Sequence, residues 1–259
     1  ATPSSATPSA SASTPAGSPA TSSTPKPPSG TTPPSWLGTR VLPQEPGGYG
    51  EIRPTPRELR RRAFTLPDRL PMLPGTGFAG EVSKVPQKVL DRSTWEPGCP
   101  VAPADLRWVR LTFWGFDDAR HTGELLVHRD VVDAVMSAFR QLYRDRFPIE
   151  QMVITTQADL NAPPTGDGNV TGAFSCRAVT GGSSYSQHAY GRAIDINPFQ
   201  NPYTKDEVLL PELSGAYLDR TRERPGMILP GGPVTRAFAS IGWTWGGTWN
   251  SLKDRHHFS

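Results

Sequence analysis

The sequence predicts an α+β fold, because short strands and helices follow one another along residues 99–259 without the regular alternation of a parallel sheet. Two observations carry this prediction. Residues 106–114 alternate apolar and polar side chains, and residues 123–127 pair with them across a Gly/Asp turn, which is typical of an antiparallel hairpin. From Asp130 onward, apolar residues recur three and four positions apart, which predicts a helix that ends before Pro148.

The remaining elements of this region are shorter. Residues 152–156 predict a strand, and residues 159–170 predict a loop because Asn, Gly, Pro and Asp are frequent there. A second helix is expected over residues 234–241, and residues 243–245 begin the last strand. We therefore expect one domain over residues 99–259, with a mainly antiparallel sheet and flanking helices.

Residues 36–98 are rich in proline and glycine and contain few periodic runs, which predicts an irregular extension that packs on the domain. One short helix is expected near residues 56–63. The arginine-rich run at residues 57–62 predicts a solvated face.

The first 35 residues are almost wholly Ala, Ser, Thr, Pro and Gly, with Lys26 as their single charge. Such a segment has almost no apolar surface to bury, so it predicts a disordered linker. The chain starts at Ala1 and contains no apolar run long enough to span a membrane. We expect an exported protein from which a signal peptide has been removed.

The charge and the cysteine content indicate which partners and which covalent links to expect. The net charge is +3, and no Lys/Arg run is interleaved with aromatic residues, so a nucleic-acid partner is not expected. Two cysteines in an exported chain favour a disulfide between Cys99 and Cys176. Metal ligation is the weaker alternative, because neither cysteine has a second one nearby.

A candidate metal site lies in the pattern Ser-x-His-x-x-Gly-x-Ala-x-Asp at residues 186–195. A continuous helix would place His188 and Asp195 about 10 Å apart along its axis, too far for ligands that bind one ion at roughly 2.0–2.2 Å. Gly191 permits a tight turn between them. Residues 192–197 then predict a short strand, so that a loop histidine and a strand aspartate converge.

The C-terminal residues Asp254-Arg-His-His257 supply the other groups that such a site needs. A catalytic zinc site takes three protein ligands and leaves one position for water, which makes His257 the natural third ligand. Asp254 precedes it by one helical turn or one tight loop and is placed to accept a proton. Adjacent side chains of an extended segment point to opposite sides, so His256 is expected to be exposed or to contact substrate.

Together these motifs resemble the signature of the zinc D-alanyl-D-alanine carboxypeptidases of the VanY type, a group that includes phage and bacterial peptidoglycan endopeptidases. The similarity extends over residues 95–259 and includes Trp245-Gly-Gly-x-Trp249. The resemblance implies that Asp254 is the general base. It also implies one zinc ion (Zn²⁺) per chain, with the ligands His188, Asp195 and His257.

The resemblance assigns three further positions. Arg177 matches the arginine that holds the substrate, and Ser186 matches the serine of the motif, which supports a ligand or contacts substrate. Thr248 stands where the family often has an aspartate, and this departure leaves the substrate preference open.

The resemblance implies a secreted, cell-wall-associated, monomeric zinc peptidase that hydrolyses peptidoglycan stem peptides, as a D-alanyl-D-alanine carboxypeptidase. Two alternatives remain at this point. The same residues would serve an endopeptidase that cuts within the stem peptide, or a wall-binding zinc module without turnover. The presence of Asp254 argues against the module, because a protein that only binds needs no base.

Overall fold

A three-stranded antiparallel sheet forms the first part of the fold. The structure, a computed structural model, describes residues 1–2 and 30–259, so most of the predicted linker lies outside the described residues. Strands β1 (Gly80–Lys84), β2 (Leu106–Trp114) and β3 (Arg120–His128) are paired in that order. The β2–β3 hairpin runs in register from Leu106 opposite His128 to Trp114 opposite Arg120, which confirms the predicted hairpin.

Two helices pack together beside this sheet and close the main hydrophobic core. Helix α2 (Val132–Arg144) follows a 3-10 turn, and its apolar stripe is buried. Helix α4 (Pro233–Ala239) packs on α2, and Phe139 and Phe238 meet edge to face. Both helices were expected from the spacing of their apolar residues. Each helix turns its apolar face to this core. The strands that carry the site contribute apolar residues to the same core.

The proline-rich segment packs on the domain through its own core and contains a 3-10 helix at Arg57–Leu59 and helix α1 (Gln87–Asp91). The arginine run is not a uniformly solvated face, because the Arg62 side chain is only 1% exposed. Its guanidinium bonds both carboxylate oxygens of Glu150, at 2.7 and 2.6 Å. A buried pair with two hydrogen bonds fixes the extension at one position on the domain.

A second polar contact joins the extension to strand β3. His121 lies with Nδ1 2.9 Å from Asp68 and Nε2 3.0 Å from Asp117. Hydrogen bonding to Asp68 raises the pKa of His121; burial opposes this rise, and the contact with Asp117 adds to it. The histidine is therefore stabilised in its charged form between two carboxylates.

Two predicted strands are absent. Residues 243–245 do not form the last strand, and only Trp245 makes an isolated bridge, to Phe258. Residues 152–156 form no strand, and only Met152 makes an isolated bridge, to Thr171. Their apolar side chains are buried because the segment crosses the interior, which produces the same sequence pattern without a continuous ladder. The segment predicted to be a loop begins inside helix α3 (Gln157–Asn161), where Thr156 and Asp159 form a capping box.

Two small sheets complete the fold. Strand β4 (Ile194–Asp195) pairs with β8 (His257–Phe258), and the second sheet has the order β6 (Val208–Leu210), β5 (Tyr203–Lys205), β7 (Lys253–Asp254). All pairings within the three sheets are antiparallel, so the architecture is α+β as predicted. Among the described residues, no helix is long and apolar enough to cross a membrane.

Candidate metal centre

His188 is held by a short 3-10 helix, Gln187–Tyr190. The Ser186 side chain caps this helix by accepting a hydrogen bond from the His188 backbone N–H at 3.3 Å. Gly191 ends it with a φ of 66°, a left-handed conformation in which a side chain would also collide with the backbone N–H of His128, 2.7 Å from an added Cβ. The predicted turn at Gly191 is thus present, and it directs the chain from His188 back into strand β4.

Asp195 and His257 face each other across the two-stranded β4–β8 sheet. They are direct partners in the register, and Ile194 pairs with Phe258 beside them. Phe258 is fully buried and stacks on Phe238 of helix α4, with ring centroids 4.3 Å apart. The apolar side of this sheet is therefore anchored in the main core, while the aspartate and histidine are left on the side of the site.

The structure brings these three side chains to one point. Their ligand atoms all lie within 4.8 Å of one another. Asp195 Oδ1 is 3.1 Å from both His188 Nε2 and His257 Nδ1, and these two nitrogens are also 3.1 Å apart. Ligands about 2.1 Å from one tetrahedral ion are roughly 3.4 Å apart, so the spacing is close to that of a metal site.

The hydrogen bonding of the His188 ring also fits a role as a metal ligand. Its Nδ1 lies 2.6 Å from the carbonyl oxygen of Ala173 and so donates its hydrogen there. In the neutral ring this leaves the lone pair of Nε2 directed at Asp195 and His257. A histidine whose far nitrogen is held by a backbone carbonyl is the usual arrangement of a metal ligand. The two histidines and one carboxylate are donors that zinc accepts.

The carboxylate of Asp195 is held in its charged form. Burial works against ionisation, but the charges of His188 and His256, and hydrogen bonds from His188 and His257, lower the pKa of Asp195 well below its usual value. An ionised carboxylate is the form that binds a metal.

Asp254 lies beside the cluster on strand β7, where it pairs with Tyr203. Its Oδ1 is buried and has no well-aligned hydrogen bond, although His256 Nε2 lies 3.0 Å away. Gly246 packs so closely that an added Cβ would meet the backbone oxygen of Asp254 at 2.6 Å. The contact with Gly246 therefore fixes the backbone of Asp254, and its carboxylate lies against His256.

His256 corrects the expectation of an exposed residue. Its side chain is 12% exposed, and Nδ1 lies 2.7 Å from the carbonyl oxygen of Asn201. Burial lowers its basicity, but the nearby charges of Asp254 and Asp195 outweigh this effect and raise the pKa of His256 to about 9. Its Nε2 lies 3.0 Å from Asp254 Oδ1 and 3.8 Å from Asp195 Oδ2, so His256 lies between these two carboxylates.

The cluster opens into a cleft of about 470 Å³. His188, His257 and Asp254 line it, together with the predicted residues Arg177 and Ser186. All the residues of the predicted site except Asp195 therefore line one cavity, and Asp195 contacts both histidines of its lining. Trp249 of the quoted motif lines the same cleft, and sequence analysis missed a further group, of which the largest members are Tyr203, Lys205 and Leu252.

Arg177 reaches the cleft from a loop that is fastened by a disulfide. Cys99 and Cys176 are bonded, with Cα atoms 5.9 Å apart, as predicted. The Arg177 carbonyl also accepts a hydrogen bond from the Ser186 backbone N–H at 3.1 Å. The arginine is thus covalently tied on one side and connected on the other to the residue that caps the His188 helix.

Thr248 lies outside the cleft, although the family often has an aspartate at its position. It ends a 3-10 helix, Gly246–Thr248, and its hydroxyl donates to the carbonyl oxygen of Trp245 at 2.8 Å. The threonine therefore stabilises its own turn. The neighbouring Trp249 ring lies 5.3 Å from the His257 ring and forms a wall of the site.

Comparison with known proteins supports a peptidase activity for this chain. Residues 180–259 match the family model described as D-alanyl-D-alanine carboxypeptidase. This match confirms the resemblance drawn from the motifs, and it contains His188, Asp195, Asp254 and His257. No curated protein and no solved structure matches the chain significantly.

Proposed function

We propose that this protein is a zinc peptidase that hydrolyses peptidoglycan stem peptides, with D-alanyl-D-alanine carboxypeptidase as its activity. The observation that carries the proposal is the meeting of a His/Asp/His cluster and a separate carboxylate in one cleft. The zinc ligands are His188, Asp195 and His257. A protein that only binds zinc would need the His/Asp/His cluster alone, whereas hydrolysis also needs the separate carboxylate of Asp254.

The chain's own residues supply binding and proton transfer. A zinc ion held by His188, Asp195 and His257 would supply Lewis-acid polarisation of the scissile carbonyl and acidification of water. Asp254 takes a proton from the attacking water and returns it to the leaving amine. Because Oδ1 of Asp254 faces His256, we assign the proton to Oδ2. His256, fixed by Asn201, holds the carboxylate in this orientation.

The charge of the cleft favours an acidic peptide end. Two cations, Arg177 and Lys205, line it, and Asp254 is the one Asp or Glu among the described lining residues. Arg177 is the partner for the terminal carboxylate, since a guanidinium can bind it with two hydrogen bonds. Trp249 and Leu252 offer apolar surface to the short side chains of the peptide.

We further propose that the protein acts outside the cell, at the wall. The disulfide between Cys99 and Cys176 supports this, because such bonds persist in oxidising compartments. The Ala/Ser/Thr/Pro composition of residues 1–29 is that of a spacer.

The decisive experiment is mass spectrometry of purified muropeptides after digestion with the zinc-loaded protein. Loss of one terminal alanine is the expected product. Cleavage within the stem peptide would identify an endopeptidase that uses the same residues. Unchanged muropeptides, under conditions where zinc is bound, would refute the proposal. The matched control is Asp254→Asn, which keeps the cleft but lacks the base.

A further inference from the structure

A second cavity, of about 680 Å³, lies apart from the metal centre and is lined largely by arginines. Three parts of the chain form it: Thr31, residues 60–63 of the extension and residues 222–225 of the domain. None of its lining residues belongs to the catalytic cleft. We call it the arginine pocket, and its charged lining residues are Arg60, Arg61, Arg62, Arg222, Glu223 and Arg224.

The positive charge of the arginine pocket is only partly neutralised. Arg62 is paired with Glu150, and Arg222 lies 3.2 Å from Asp219 while remaining 77% exposed. Arg61 is exposed, and its side chain has no hydrogen bond or ion pair among the described residues. The guanidinium of Arg60 reaches only a backbone carbonyl, at 3.2 Å. The pocket therefore presents free N–H donors and excess positive charge.

A further cation, Arg220, lies within electrostatic reach of the pocket residue Arg224. Arg220 donates to the carbonyl oxygens of Gln200, Tyr217 and Ile228 and to the side chain of Asn201, and so to no carboxylate. Burial, followed by the charges of Arg255 and Arg224, lowers the pKa of Arg220 to about 10. A buried cation without an acidic partner marks a region where an anion from outside would be stabilised.

The size and composition of the pocket indicate the chemical class of ligand that it binds. We propose that the arginine pocket binds a linear polyanion whose charges are phosphodiester or phosphate groups. Guanidinium groups match phosphate oxygens with paired hydrogen bonds. A cavity of this size holds more than one phosphate. Among the described residues, no aromatic side chain on which a nucleobase would stack lines it, and no large apolar side chain that would enter a lipid layer.

Such a site would keep the protein bound to a phosphate-bearing polymer while the separate catalytic cleft binds its own substrate. The proposal does not depend on the peptidase activity, because the two cavities share no residue. It requires only that Arg61 and Arg222 act together on one ligand.

The test measures binding of inorganic polyphosphate to the full chain by fluorescence anisotropy at several salt concentrations. The double variant Arg61→Gln/Arg222→Gln should bind about tenfold more weakly, since each exposed charge contact contributes a factor of a few. The slope of log K against log salt should fall by about 1.4, or about 0.7 for each lost contact. The matched control is Arg57→Gln/Arg144→Gln, which removes the same charge at exposed arginines outside the pocket and should bind nearly as the parent does.

Several results would overturn the proposal. Equal losses in the two double variants would mean that binding depends on net charge alone. Tighter binding to phosphatidylglycerol vesicles than to polyphosphate would identify a membrane surface instead, and absence of polyphosphate binding at low salt would remove the site. If the double variant unfolds, Arg61→Gln alone should lower the slope by about 0.7. Both double variants should cleave a stem peptide like the parent protein; a parent that cleaves none would refute the proposed function and leave these binding results intact.

Discussion

Replacement of Asp254 by asparagine tests whether this residue is the general base or a metal ligand. Asparagine has nearly the same volume, so the close contact with Gly246 is kept. The substitution removes the carboxylate charge beside His256, where Oδ1 lies 3.0 Å from Nε2. Because His256 Nδ1 already donates to Asn201, the neutral ring can accept a hydrogen bond from the new amide at Nε2. We therefore expect a folded protein.

The expected loss is in the chemical step. Removal of a general base slows turnover by ~10²–10⁴-fold, which corresponds to about 2.7–5.4 kcal/mol in the barrier. Zinc content should stay at one equivalent, because Asp254 is not one of the three convergent ligands. The assay is steady-state hydrolysis of a peptide ending in D-Ala-D-Ala, with zinc measured on the same samples.

The control variant is Asp206→Asn, the same chemical change at the turn between β5 and β6. Asp206 has a φ of 50°, a conformation that asparagine tolerates well, so this variant should retain the parent rate. Parent-like turnover by Asp254→Asn would refute the assignment of the base. Loss of zinc by this variant would show that Asp254 is a ligand and that the proton moves to another group.

Four further predictions follow from other parts of the structure. Alanine at any one metal ligand should abolish zinc binding by elemental analysis, whereas His256→Ala should retain it; the three ligands are His188, Asp195 and His257. Arg177→Ala should raise KM as well as lower kcat, because it removes a charge partner of the substrate; a change in kcat alone would contradict this role. Denatured, unreduced protein should contain no free thiol, and serine at both Cys99 and Cys176 should lower the free energy of unfolding by about 2–4 kcal/mol. Because the pKa of His121 is raised from 6.5, its ion pairs stabilise the fold fully below pH 6.5, and this contribution is lost as the pH rises through the raised pKa. The difference in Tm between the parent and His121→Gln should therefore be larger at pH 6 than at pH 8.5, and an equal difference would show that the contact is uncharged.

Sequence analysis predicted that His188 and Asp195 converge, and the structure brings them together, because the signal for this turn is local. His188, Gly191 and Asp195 lie within one short motif, and the left-handed glycine between the two ligands has a direct sequence marker. The long hairpin and helix α2 were predicted for a similar reason, since each has a regular period over nine or more residues. Such periods reflect burial of one face.

The features that sequence analysis missed depend on distant parts of the chain. Residues 152–156 have the composition of a strand, but whether they pair is decided by the segments beside them in the fold. The burial of His256 depends on Asn201, and Lys205 reaches the cleft only because β5 pairs with β7. Nothing within ten residues of these positions indicates the contact.

The six residues from Lys253 to Phe258 belong to two different sheets. Asp254 is held by Tyr203 in the sheet of β5, β6 and β7, whereas His257 is held by Asp195 in the β4–β8 pair. The proposed proton acceptor and the proposed metal ligand are therefore supported by separate sheets, although only two residues lie between them. Substitutions that disturb the pairing of β5 with β7 should alter the reaction rate without altering zinc affinity, which gives evolution or an engineer a way to change the rate independently of metal binding.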